Sequence, residues 1–181
     1  MSTQLTILFT FIALIWALEL VDLLLFGGSL DAFGIRPRTP SGLLGIIFAP
    51  FLHGGLPHLV ANTVPFLTLG WLVMLRRTSD FFVVTLIAGL VGGLGVWLVG
   101  RPNSVHIGAS GLVFGYLGYL LLRGYFERSV SAILLSIAVG LFYGGALWGL
   151  LPSQPGVSWQ AHLFGFLGGG GAARALARRR A

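Results

Sequence analysis

Apolar residues run in long blocks along this chain, and polar residues gather in short breaks between them. Six blocks stand out: residues 5–26, 56–75, 81–99, 110–122, 129–150 and 159–176. A helix rising 1.5 Å per residue needs about 20 residues to cross a hydrocarbon core of about 30 Å. Most of the blocks meet that length, so the pattern predicts an all-α membrane protein with six transmembrane helices. Between the first two blocks lies a long connection, residues 27–55. It contains a further apolar stretch, 43–52, too short to span and read as interfacial. The first block has no basic residues before it and is too long for a typical signal-peptide core, so it is read as a retained span. One membrane domain over residues 1–181 is expected.

Composition supports this reading. Hydrophobic residues make up 56% of the chain and charged residues 9%, with 28 glycines in 181 residues. Soluble domains carry about 25% charged residues, and disordered chains combine low hydrophobicity with high charge. Both classes are excluded. There is no cysteine, which removes disulfides, thiolate metal ligands and thiol nucleophiles.

The net charge is +6, and every base is arginine. The arginines sit at block ends rather than on a basic face, so nucleic acid is not an expected partner. Six spans put both termini on one side. That side collects Arg76, Arg77, Arg123, Arg128, Arg174, Arg178, Arg179 and Arg180; the other collects Arg36, Arg38 and Arg101. The positive-inside rule then places both termini in the cytoplasm. The lean Arg/Gly/Leu-rich composition points to a bacterial plasma membrane.

The fourth block, 110–122, holds 13 residues, or about 20 Å of helix. If Arg123 marks the cytoplasmic interface, Ser110 lies below the opposite surface and the chain before it dips into the membrane. Such backbone must be buried in protein or line a wet cavity. A tilted short span is the alternative. Glu19 and Asp22 are expected near the end of the first span, within reach of water or headgroups.

Polar residues at membrane depth are costly and are functional candidates by default. They are His58, Asn62, Ser110 and His162, and the topology puts all four in one layer. Ser110 opens a helix, whose unpaired N–H groups favour a developing negative charge. Ser is equally a common helix cap. Gly108 and Gly111 permit a tight turn. Gly111, Gly115 and Gly118 form one small-residue stripe, and Gly165 and Gly169 form another beyond His162. Contact between the stripes would bring His162 to Ser110 as a general base. His58 and Asn62, at i and i+4, share a helix face and can both donate hydrogen bonds to an oxyanion, or can serve as polar contacts between helices. No carboxylate is placed to orient His162, so packing is expected to hold it, giving a dyad rather than a triad. No metal-binding spacing is present.

Three motifs in order carry a family resemblance: His58-Leu-Val-Ala-Asn62, Gly108-Ala-Ser110-Gly111 and Ala161-His162-Leu-Phe-Gly165. On these spans they resemble the rhomboid intramembrane serine proteases, over roughly residues 34–169. The resemblance implies a six-helix rhomboid-like bundle with a short central fourth helix. It implies Ser110 as nucleophile and His162 as base, with His58, Asn62 and the Ser110 N–H as the oxyanion site. His53 is implied to be structural, the first loop partly embedded and the loop near 152–159 a cap. Transmembrane segments of other proteins are the implied substrates, with no cofactor and no metal. Two departures are visible. Phe114 stands where a tyrosine commonly stacks on the base. The first loop has Arg36 without the usual neighbouring Trp. A rhomboid-like protein that binds membrane segments without cutting them is the alternative. A channel would want a buried carboxylate or repeated halves, and ranks below both.

Overall fold

The computed structural model describes residues 3–152 and 156–178. Parts of the expected 152–155 loop and of the terminal arginine run therefore lie outside the described residues. Within these residues seven α-helices follow in order: α1 Thr3–Val21, α2 Pro40–Phe48, α3 Leu56–Met74, α4 Thr78–Val99, α5 Ser110–Glu127, α6 Val130–Tyr143 and α7 Trp159–Arg178. No strand occurs among the described residues; one isolated bridge joins Ile35 and His106.

The count exceeds six because the apolar stretch in the first connection folds as α2. Pro40 sits in its first turn, and the Thr39 hydroxyl accepts the Gly42 N–H. Among the described residues, four stretches are long and apolar enough to cross a membrane: Thr3–Phe26, Leu56–Met74, Thr78–Val99 and Val130–Leu150. The protein is an all-helical integral membrane protein. α5 is the central helix, packed against α3, α4, α6 and α7, and its contact with α7 is the most extensive in the fold.

Three expectations need correction. The fourth block does not stop at Arg123. α5 runs on to Glu127, 18 residues or about 27 Å, and ends where Arg128 turns left-handed at φ 52°. Arg123 stays helical because its Nε lies 3.1 Å from Glu127 Oε1, one turn on, and Arg76 pairs with the same carboxylate. A neutralised arginine need not leave the bundle, so shortness is not what sets this helix apart. Second, Glu19 and Asp22 are not open to water or headgroups but buried in the protein, 2% and 3% exposed. Asp22 Oδ1 accepts the Leu30 N–H, and Glu19 Oε1 accepts the Gly55 N–H. Third, the fifth block is not one helix. After Tyr143 the chain tightens into 3₁₀ turns over Gly144–Leu150, where the Gly144-Gly145 pair is a poor continuation of an α-helix.

The first connection is anchored without an adjacent Trp-Arg pair. Arg38 donates to the Leu98 and Gly100 carbonyls at 2.8 and 3.0 Å, and Trp97 Nε1 donates to Thr39 O at 2.8 Å. Arginine and tryptophan come from opposite sides of the contact, and the guanidinium satisfies carbonyls that α4 leaves open at its C-terminus.

Asp31, beyond the end of the first span, gives a pH signature. Burial, with Asp22 and Glu19 nearby, pushes its carboxyl up from 3.8 to about 6. The folded state therefore holds this proton more tightly than the unfolded chain does. That contribution is complete below about pH 4 and is lost as the pH rises through about 6. Asp31→Asn is expected to raise the melting temperature at pH 7, with the gap to wild type closing by pH 4. Melts across that range are the check.

Candidate active site

Ser110 is the first residue of α5, and the turn before it is held from three sides. Gly108 has φ +110°, and a Cβ there would lie 2.7 Å from the His58 ring. Only glycine meets both conditions. The Gly108 N–H donates to Ala49 O at 2.8 Å. The Ala109 N–H donates to His53 Nε2 at 3.3 Å. Burial, helped by neighbouring His58, holds His53 down to about 4, so its ring stays neutral and can accept.

His162 lies in the first turn of α7 and is 7% exposed. Its Nε2 is 2.9 Å from Ser110 Oγ, and its Nδ1 is 2.9 Å from the Gly149 carbonyl oxygen. A carbonyl can only accept, so Nδ1 carries the proton. Nε2 is then the lone-pair nitrogen, and Ser110 donates to it. Phe114 stacks on the imidazole at 4.1 Å and 12°. The missing hydroxyl therefore leaves the stacking intact. Packing alone does not hold the ring. The Gly149 carbonyl does, and no side-chain pattern announces a main-chain acceptor.

The α5–α7 contact that joins the pair rests on absent side chains. A Cβ at Gly165 would lie 2.1 Å from Gly111 O, and one at Gly169 would lie 1.8 Å from Gly115 O. The backbones touch, as small-residue stripes permit.

His58 Nδ1 accepts the Gly54 N–H at 3.3 Å, which leaves the proton of the neutral ring on Nε2. Asn62 is buried, and its Nδ2 donates to the His58 carbonyl at 2.9 Å. An amide has two N–H bonds, so one remains for another acceptor. His58, Asn62, Ser110, Phe114 and His162 line one cavity of about 1110 Å³.

The sequence reading also passed over His106. Its Nδ1 lies 2.6 Å from Ser158 Oγ and its Nε2 lies 2.8 Å from Ser104 Oγ. This chain of hydrogen bonds ties the segment before α5 to the residue before α7. Burial lowers the His106 pKa, which keeps the ring neutral.

A serine bonded to an oriented, neutral imidazole, beside side-chain donors in a cavity, suits acyl transfer. Residues 40–179 match the Rhomboid domain. The chain belongs to the rhomboid family. An uncharacterized protein of Mycobacterium bovis is 46% identical over 172 residues, covering 91% of this chain and 71% of that protein. An uncharacterized protein of Mycobacterium leprae is 45% identical over 168 residues, covering 88% of this chain and 66% of its own length. The rhomboid protease GluP of Bacillus subtilis is 30% identical over 185 residues, covering 92% of this chain and 35% of the protease. The rhomboid match takes in α2 to α7 and with them the whole cavity; α1 lies before it.

Proposed function

We propose that this rhomboid protein is an intramembrane serine endopeptidase that cuts transmembrane segments of other membrane proteins. The observation that carries the reading is the Ser110–His162 hydrogen bond with His162 anchored on the Gly149 carbonyl. In this reading α1, α3, α4, α5, α6 and α7 are the six spans and α2 is interfacial. Both termini face the cytoplasm of a bacterial cell, beside the arginine-rich end.

Ser110 Oγ attacks the scissile carbonyl carbon as its proton passes to His162 Nε2. The Gly149 carbonyl keeps its bond to Nδ1–H throughout and stabilises the imidazolium. The carbonyl oxygen becomes an oxyanion, met by the Ser110 N–H, His58 Nε2–H and the second Asn62 N–H. Collapse breaks the C–N bond, and His162 returns its proton to the leaving amine. A water entering through the cavity then attacks the acyl-serine. His162 takes one of the water's protons and passes it to Ser110 Oγ as the acyl C–O bond breaks, and the new carboxylic acid leaves and ionises. A substrate helix must unwind locally first, because its own hydrogen bonds cover the scissile carbonyl.

A fluorescent fluorophosphonate tests the reading without knowledge of the substrate. Folded wild-type protein is expected to label covalently. Folded protein that does not label would hand the cavity to membrane-segment binding without cleavage. Asn62→Ala is expected to slow turnover by about 10²-fold or more if its amide is a principal oxyanion donor, with a smaller change in KM. Unchanged turnover in that variant would remove Asn62 from the site.

A further inference from the structure

We infer that Glu19, on the first span, is a positioning residue for the oxyanion site and the nucleophile turn, acting through residues 53–55. The inference rests on the protease reading above. A carboxylate near the end of an apolar helix is expensive to bury, yet Glu19 is 2% exposed. Its Oε1 accepts the Gly55 N–H at 2.9 Å, across 36 positions of sequence.

Gly55 is the N-cap of α3, and no side chain of its own segment caps that helix. In an ordinary capping box, a Glu or Gln at the third helical position reaches back to bond the N-cap N–H. In α3 the third position is His58. That ring is turned to another task, accepting the Gly54 N–H and presenting Nε2–H. The capping carboxylate is supplied by α1 instead, and its negative charge suits the N-terminal end of α3. An oxyanion donor can then occupy the position where the cap would normally stand.

Each residue of the turn has a separate partner. His53 holds the Ala109 N–H beside Ser110, Gly54 fixes the His58 tautomer, and Gly55 is held by Glu19. Gly54 and Gly55 have no side chains to lock the turn, so its path depends on these hydrogen bonds. Loss of the Glu19 acceptor lets the turn drift, and the His58 proton and the Ser110 N–H drift with it. Catalysis is affected while the cavity that receives substrate is kept.

The test measures fluorophosphonate labelling against probe concentration, giving a saturating rate and a half-saturation concentration, with a melt for each variant. Wild type and Ser110→Ala bracket the assay; an unlabelled wild type would defeat the protease reading itself, whatever Glu19 does. Glu19→Met removes the acceptor and is expected to lower the saturating rate about tenfold, with half-saturation unchanged. Glu19→Gln keeps an acceptor oxygen and should recover most of that rate. Glu19→Asp draws the acceptor back by one methylene and should resemble Glu19→Met, which keeps the test available if the methionine variant does not fold. Two results would overturn the inference. One is a folded Glu19→Met or Glu19→Asp that labels at the wild-type rate. The other is a Glu19→Gln as slow as Glu19→Met.

Discussion

Ser110→Ala and His162→Ala are each expected to lower cleavage by about 10⁴- to 10⁶-fold, and the double variant to be no worse than either single one. In the proposed mechanism the two side chains share one proton-transfer unit, and their Oγ and Nε2 lie 2.9 Å apart. Removing either leaves the other without a partner in the reaction, so their effects cannot add. Stability should respond far less. Both residues line the same cavity, so truncation enlarges an existing space rather than opening a void in packed core. Melting temperatures within a few degrees of wild type are expected, together with complete loss of fluorophosphonate labelling. A collapse of the His162→Ala melt would instead mark that histidine as structural.

The second large effect lies in the glycine contact and needs only one methyl group. Gly169→Ala would put a Cβ 1.8 Å from the Gly115 carbonyl oxygen and 2.9 Å from the Tyr119 nitrogen. Both are backbone atoms of α5, so no side chain can swing away. α7 must move, and α7 carries His162. Overpacking of this kind costs about 3 kcal/mol at the upper end of the usual range, and labelling should fall along with the melting temperature. Gly171→Ala, two residues on, is the control. A Cβ there meets nothing within 4 Å, and alanine is the better helix former by about 0.5–1 kcal/mol. It should melt at or above the wild-type temperature. Equal melts for the two variants would mean that α5 and α7 do not pack this closely.

Much of this arrangement is legible in the chain because membrane helices announce themselves through length and apolarity. α3 and α4 fall within a few residues of their expected bounds, and the short apolar stretch before α3 becomes α2. The glycine stripes are also readable, since small residues at helical spacing have few other purposes. What was illegible depends on partners distant in sequence. The continuation of α5 past Arg123 depends on Glu127, which also bonds Arg76 from the turn between α3 and α4. Glu19 looks like a residue seeking water until Gly55 is brought to it. The Arg38 and Trp97 anchors lie 59 positions apart and form no local motif.

The Gly149 carbonyl has a consequence for how this site can change over generations. An orienting aspartate can be lost by a single-codon change, whereas a main-chain oxygen has no codon of its own. Substitution at position 149 leaves that oxygen in the chain. It is limited instead by size, since a Cβ there would lie 2.9 Å from the Phe114 ring and 3.4 Å from His162 Nδ1. What places the carbonyl is the length and path of the 3₁₀ turns over Gly144–Leu150. Selection on the orientation of the histidine therefore falls on the spacing of that segment more than on its letters. A one-residue insertion or deletion between α6 and Gly149 does more harm to the site than exchanges among its exposed residues.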